Sequence, residues 1–376
     1  MKLSCLQENL KRGLAIVGHA VAGKSTLPVL SNILLATDEG RLKLAATNLE
    51  IGITCWIGAK VEDEGAVTVP AKLLSDVVGG LPNDKISISL DARTQALNVR
   101  CARFEGNIKG IEADEFPVIP TIADRQPTVS FEPAALREAI EQVAVAAATD
   151  DTRPVLTGVL LRLKGNVAIF AAADGFRLAV KTLQLAEPVR EPMDVIIPAR
   201  ALSELARIIG DVEGTVDVTV TPTGGQILFH TESTDLVSRL IEGKFPDFER
   251  IIPANHATRT VLETQDLAKA VKLASYFATS SANIVKLTMD AGSDGPGKLT
   301  ISANAAEVGD NQSALDGIMS GEGGQIALNV KFLADALNTI KTPQIALETQ
   351  TPQSPGVFKP VGQEGYVHIV MPMTVR

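Results

Sequence analysis

Very little in this sequence suits catalysis or metal chemistry. Its three cysteines, Cys5, Cys55 and Cys101, stand far apart and form no C-x-x-C pair, so neither a disulfide framework nor a thiolate metal site is expected. They suit small buried apolar positions. The four histidines, His19, His230, His256 and His368, are isolated and none belongs to an H-E-x-x-H pattern, so no zinc centre is expected. There is no G-x-S-x-G, no serine or cysteine nucleophile with a plausible histidine nearby in sequence, and no carboxylate pair in a repeated frame. The chain is expected to be no enzyme and to need no cofactor. No apolar run approaches the ~20 residues that span a bilayer, which excludes a helical membrane anchor. Met1 to Lys11 carries charge where a signal peptide would be apolar, so the expected location is cytoplasmic. A net charge of −9 argues against a nucleic-acid partner at first sight, although a global sum does not say where the charges sit.

What the sequence does have is a long repeat. K-S-T-L-P-V-L-S-N-I-L-L-A at 24 to 36 returns as D-D-T-R-P-V-L-T-G-V-L-L-R at 150 to 162, and more faintly as S-S-A-N-I-V-K-L-T-M at 280 to 289. Pro28 and Pro154 are 126 residues apart, a domain-sized period rather than a solenoid unit. A second signature recurs as V-P-A-K-L-L-S-D (69 to 76), I-P-A-R-A-L-S-E (197 to 204) and L-N-V-K-F-L-A-D (328 to 335). Between them lie A-A-T-N-L-E-I-G-I (45 to 53), A-A-A-D-G-F-R-L-A (171 to 179) and S-A-N-A-A-E-V-G-D (302 to 310). Landmarks in one fixed order predict three copies of one domain, with boundaries near 124 and 254 where proline and polar residues cluster.

Each copy opens on an amphipathic pattern. In the third, Leu267, Ala270, Val271, Ala274 and Phe277 form one stripe with Asp266, Lys269 and Lys272 between them. The second signature predicts a further helix of about three turns. Stretches 43 to 56, 85 to 100, 167 to 182 and 226 to 241 alternate or run apolar between Gly, Asn and Asp, which reads as strands. Two helices and many antiparallel strands per copy give an α+β fold.

Gly18-His19-Ala20-Val21-Ala22-Gly23-Lys24-Ser25 fits G-x-x-x-x-G-K-[ST] letter for letter. A phosphate loop, however, works only between a strand and a helix whose N-terminus faces the phosphates. Here an opening helix precedes it, and Pro28 followed by a strand-like run comes after. The second copy has Thr149-Asp150-Asp151 in place of Gly23-Lys24-Ser25, so the repeat does not depend on the loop. Asp174-Gly175 reads as a hairpin turn rather than a catalytic acid.

Charge is distributed unevenly. The expected helices hold Lys11, Arg12, Lys72, Arg137, Arg200, Arg207, Lys269, Lys272, Lys331 and Lys341 against Glu8, Asp76, Glu138, Glu141, Glu204, Asp266 and Asp335, leaving +3 on the helices and −12 elsewhere. Ordinary solvated helix faces would also be charged. Lys72, Arg200 and Lys331, however, recur at one repeat position, two residues after Pro70, Pro198 and Asn329. A threefold basic surface is what sequence-blind phosphate binding requires.

T-L-P-V-L-S-N-I-L-L, V-P-A-K, A-D-E-F-P, T-R-P-V-L-T-G-V-L-L, A-A-A-D-G-F-R-L-A, K-F-P-D-F and the terminal V-M-P-M together resemble the bacterial DNA polymerase III beta subunits, the sliding clamps, from end to end. The resemblance implies three DNA-clamp domains and a head-to-tail homodimer closed as a ring around double-stranded DNA. Twelve helices of ~10 Å diameter would form a circle ~38 Å across and leave a hole of roughly 28 Å. It implies tethering of the DNA polymerase III alpha subunit, the clamp loader, other polymerases and repair proteins through short peptides, with no membrane partner. The ten basic helix residues, with Lys24 beside them, would face DNA; Asp150 is a poor phosphate ligand.

The peptide pocket carried over by the resemblance is Arg153, Val155, Leu156, Gly158, Ala173, Gly175, Phe176, Arg177, Leu178, Pro246 and Ile251, with Ile369, Met371, Pro372 and Met373 from the tail. Methionine and aliphatic side chains adapt to varied apolar anchors. The subunit interface would set Leu73, Leu74, Val77 and Phe104 against Tyr276 and Phe277. A nucleotide hydrolase and a scaffold that never encircles DNA are the competing readings.

Overall fold

A computed structural model describes residues 1–23, 25–121, 126–292 and 297–374. Lys24 and the boundary expected near 124 lie outside the described residues. The first copy runs β1 (Lys2–Leu6), α1 (Gln7–Gly18), β2 (Asn32–Asp38), β3 (Arg41–Thr47), β4 (Ile51–Ile57), β5 (Lys60–Asp63), β6 (Ala66–Pro70), α2 (Ala71–Gly80), β7 (Lys85–Asp91), β8 (Ala96–Cys101) and β9 (Phe104–Lys109). The second runs β10 (Val129–Phe131), α3 (Pro133–Ala144), β11 (Gly158–Lys164), β12 (Val167–Ala173), β13 (Arg177–Gln184), β14 (Met193–Pro198), α4 (Ala199–Ile208), β15 (Val216–Val220), β16 (Gln226–His230) and β17 (Thr234–Arg239). The third runs β18 (Thr258–Glu263), α5 (Thr264–Ala278), β19 (Ile284–Asp290), β20 (Gly297–Ala305), β21 (Gly309–Gly321), β22 (Gly324–Asn329), α6 (Val330–Thr339), β23 (Gln344–Thr349), β24 (Gly356–Pro360) and β25 (Tyr366–Val370).

Local chemistry accounts for these elements. On α1, Leu10, Leu14 and Val17 are buried at helical spacing, while Lys11 and Arg12 point out. Gly13 lets the helix lie tight on its sheet, since a Cβ there would come 2.7 Å from Leu44 Cδ1 and 3.0 Å from Ile57 Cγ2. Asn329 caps α6, its Oδ1 accepting from the Lys331 amide at 2.9 Å. The runs beginning at Val29 and Val155 are not strand from the start. Pro28–Ser31 and Pro154–Thr157 each form a turn of 3-10 helix, because proline's fixed φ suits the first turn of a helix, and the strands begin at Asn32 and Gly158. The Walker-like octapeptide therefore follows a helix and precedes a strand, the reverse of the order a phosphate loop requires. Lys341, counted with the helices, lies beyond the end of α6 at Thr339.

The described chain divides into two compact units, Met1–Ala134 with Glu204–Leu240, and Ala135–Ser203 with Ile241–Arg376. The middle copy thus gives part of itself to each. In the first unit, one sheet has the order β5-β1-β7-β8-β9 and the other the order β10-β15-β16-β17-β4-β3-β2-β6. In the second unit a continuous ladder runs β14-β11-β12-β13-β25-β24-β23-β18-β21-β20-β19-β22. Every strand pairing among the described residues is antiparallel, and alternate residues such as Leu42 and Leu44 are fully buried. Copies join through these sheets: β4 pairs with β17 in one unit and β13 with β25 in the other. Among the described residues no helix is long and apolar enough to cross a membrane.

Candidate partner-docking site and subunit edges

The second unit assembles most of the predicted pocket at the turn between β12 and β13. Asp174 Oδ1 accepts from the amides of Phe176 and Arg177 at 2.8 and 3.0 Å, which closes the turn that the sequence suggested. Gly175 adopts φ 94°, and a Cβ there would sit 3.1 Å from Arg153 Nη1. Glycine is needed on both counts. Arg153 is exposed and donates through Nη2 to the Asp174 carbonyl at 2.9 Å.

Arg177 behaves differently from Arg153. Its side chain is 9% exposed and forms ion pairs with Asp174 at 3.0 Å and with Asp335 of α6 at 2.5 Å. Its guanidinium also lies 4.6 Å from the centroid of the Phe332 ring, on which Phe176 stacks at 6.4 Å. The arginine is a strut between the turn and α6. Phe176, 58% exposed, is the surface this strut supports.

Beneath the turn lies an apolar cluster that includes Ala173, Leu178, Phe245, Phe248, Val357 and Ile369, with Val155, Ile241 and Ile252 packed on it. Leu178 and Ile369 are almost or fully buried, as is Gly158, where a Cβ would come 2.5 Å from Ile196 Cγ2. These three expected wall residues are therefore floor: they shape the site without presenting surface. Leu156 is buried with them, whereas Pro246, Ile251 and Met371 are exposed.

The tail leaves the sheet after Val370. The Met371 amide donates to the Phe176 carbonyl, and the Met373 amide to the Ala327 carbonyl, both at 2.8 Å. Met371 and Met373 thus lie outside the core strand and flank Pro372 along the site. Pro372 and Met373 border a recess of about 410 Å³ with Lys286, Gln325 and Pro352 among its other lining residues. Sequence reading missed Phe332, Asp335, Phe245, Phe248 and Val357. Phe245 and Phe248 stood in the quoted K-F-P-D-F; Phe332 could have been found as the neighbour of repeated Lys331.

The basic helix residues are all exposed among the described residues. Lys72, Arg200 and Lys331 each occupy the second residue of their helices, so the repeat does place one charge three times. Arg137 pairs with Glu141 at 2.9 Å, Arg207 with Glu204 at 2.9 Å and Lys269 with Asp266 at 3.4 Å. Lys341 donates to the Asn338 carbonyl. Lys11, Arg12, Lys72, Arg200, Lys272 and Lys331 have no ion pair among the described residues.

At the expected interface, one residue must be reassigned. Leu74 is 0% exposed, a core residue of its own domain, whereas its neighbour Leu73 faces out at 48%. Val77 is half-buried and Phe104 exposed in the first unit. In the second, Tyr276 is 60% and Leu273 51% exposed, with Phe277 half-buried. Leu273 was missed, although it lies three residues before Tyr276 on the same helix face.

Family models for the DNA polymerase III beta subunit match three successive stretches: the N-terminal domain over residues 1–120, the central domain over 130–247 and the C-terminal domain over 249–374. The chain belongs to the DNA polymerase III beta subunit family. It is 34% identical over 379 residues to the beta sliding clamp of Synechococcus elongatus, with 100% of both chains covered. Identity to the beta sliding clamp of a Synechocystis species is 33%, covering 99% of each. Among solved structures, the DNA polymerase sliding clamp of Bacillus subtilis matches with a TM-score of 0.92 at 26% identity over 100% of both chains. A Pseudomonas aeruginosa sliding clamp bound to griselimycin matches at 0.91 and 28%, again over 100% of both. The family is one of non-catalytic processivity factors, and the fold is three clamp domains.

Proposed function

We propose that this chain is a DNA sliding clamp: two copies close head to tail into a ring around duplex DNA and hold the replicative polymerase and other replication and repair proteins to the template. The observation that carries this reading is the way copies join. Each junction within the chain pairs a strand of one copy with the last strand of the next, β4 with β17 and β13 with β25. The same two strands are left over at the ends. β9 is the outer strand of its sheet, and the first part of β21 pairs with β20 alone among the described residues. An unpaired edge of this kind seeks another strand. A second copy supplies one at each end.

The domains are divided near 124 and 254. Lys24, the nine basic helix residues and Lys341 face the DNA backbone without reading sequence. Arg153, Phe176, Pro246, Ile251, Met371, Pro372 and Met373 take a partner's short peptide over the floor of Val155, Leu178 and Ile369, with Arg177 as its strut. Leu73, Val77 and Phe104 meet Tyr276, Phe277 and Leu273 of the second copy. The protein works in the cytoplasm, where the replicating DNA is.

Primer extension with a matched polymerase and loader tests the reading. Added clamp should lengthen products at least tenfold, and Phe176→Ala with Met371→Ala should abolish the gain while leaving the dimer intact. Products of unchanged length with wild-type clamp would contradict it.

A further inference from the structure

One strand of the second unit runs beneath the apolar floor of the docking site and ends in a charged residue at its rim. On β11, Gly158, Leu160 and Arg162 fall on one face, because alternate residues of a strand share a side. A Cβ at Gly158 would come 2.8 Å from Ile241 Cδ1, and Leu160 packs in the cluster with Phe245 and Phe248. The segment from Ile241 onward therefore lies over this face, and Arg162 meets it at Phe248. The guanidinium lies 5.5 Å from the centroid of the Phe248 ring.

Two carboxylates divide the arginine's donors between them. Nε and Nη2 donate to the two oxygens of Asp194 at 3.0 and 2.9 Å, a fork-to-fork pairing between residues directly opposed on β11 and β14. Nη1 is left to reach Glu249 Oε1 at 2.9 Å. Glu249 opens the 3-10 turn Glu249–Ile251, whose last residue, Ile251, is 39% exposed. Asp194 thus orients the guanidinium, Phe248 supports it, and Glu249 is what it grips.

The other two copies have no such group at this position. Ala36 faces Ala66 in the first copy, and Thr288 faces Gln325 in the third. The segment that follows the sheet differs as well. It runs from Phe116 to Pro120 in the first copy and from Phe245 to Pro253 in the second, and the longer form carries the turn. Arginine, carboxylate and turn thus occur together, in the copy that holds Arg153 and Phe176. A brace that the domain fold itself needed would recur with the fold.

We infer that Arg162 is a positioning residue for partner docking: it touches no peptide itself and holds Ile251 where an apolar anchor of the peptide meets it. The inference rests on the docking reading of this site and adds what fixes one of its walls. Lysine is a partial substitute, since one ammonium cannot grip Asp194 through two donors and Glu249 through a third. Without the brace the turn spends only a fraction of its time in the binding position, and the apparent Kd rises by the inverse of that fraction.

Fluorescence anisotropy with a labelled clamp-binding peptide of the alpha subunit tests this. Arg162→Ala should weaken binding roughly five- to tenfold and Arg162→Lys by less. Glu249→Ala should reproduce the loss while leaving the Asp194 pairing in place, which keeps the test open should Arg162→Ala fold poorly. Because the brace acts through Ile251, Arg162→Ala should cost nothing further in an Ile251→Ala background, whereas its effect should multiply with that of Met371→Ala, which the turn does not hold. A general loosening of the domain would act equally in both backgrounds. Unchanged affinity in Arg162→Ala and Glu249→Ala, or equal factors in both backgrounds, overturns the positioning role and leaves the docking site standing. No binding of the peptide by wild-type clamp overturns both.

Discussion

Lowering the pH should weaken the second unit through a single buried histidine. His368, fully buried on β25, has Nδ1 3.0 Å from the Tyr366 hydroxyl, which donates to the Gln142 carbonyl at 3.0 Å and lies 2.8 Å from Thr339 Oγ1. The phenol's proton is committed to Gln142, so Nδ1 carries the hydrogen and donates to the phenol oxygen. Nε2 has no partner among the described residues. A proton added there would be buried without an acceptor, and burial, helped by the Arg177 charge, pushes the folded-state pKa down to about 3. In the unfolded chain it returns to about 6.5. Between these values the unfolded state binds a proton that the folded state refuses, so stability is complete above 6.5 and falls as pH drops toward 3. From pH 7.5 to 5.0 the loss is about 2 kcal/mol, or roughly 4–8 °C in Tm for a unit of this size. Melting curves of wild type and His368→Gln across this range provide the assay, and their difference in slope removes the other histidines. Equal slopes in the two proteins would refute the reasoning.

Other outcomes follow from the same contacts. Arg177→Ala leaves Asp174 and Asp335 facing each other without their cation and should cost about 3 kcal/mol in urea unfolding, with Arg177→Lys recovering part of it. Leu74→Ala should destabilise the first domain by about 2–5 kcal/mol, whereas Leu73→Ala should leave unfolding within about 1 kcal/mol and weaken dimerisation in sedimentation. Removing Lys72, Arg200 and Lys331 together should flatten the plot of log K against log salt by about 2 to 3 per subunit in DNA-binding titrations, since each phosphate contact contributes about 0.9.

The repeat made the fold legible because each copy must solve the same packing problem. Matched landmarks located the six α-helices found among the described residues, and apolar alternation found paired strands such as β3 with β4 and β12 with β13. What it did not reveal was junction geometry. Whether Leu73 or Leu74 faces outward depends on helix phase against the sheet, and a leucine pair reads the same either way. The candidate docking residues were those the resemblance implies, and telling buried from exposed ones needed the structure: Arg153 and Arg177 look interchangeable until Asp335 is seen to hold the second. The two junctions also differ in chemistry. Where the second junction has Phe176 and Met371, the first has Glu50 and Arg239, a charged pair on which no apolar peptide would settle.

Topological retention tests the central claim most directly. Clamp loaded onto a nicked circular plasmid and passed through a sizing column in high salt should elute with the DNA, and a single restriction cut should release it within minutes. A protein that encircles DNA stays only while the circle has no end. Loss in high salt before cutting, or retention after it, would contradict the account.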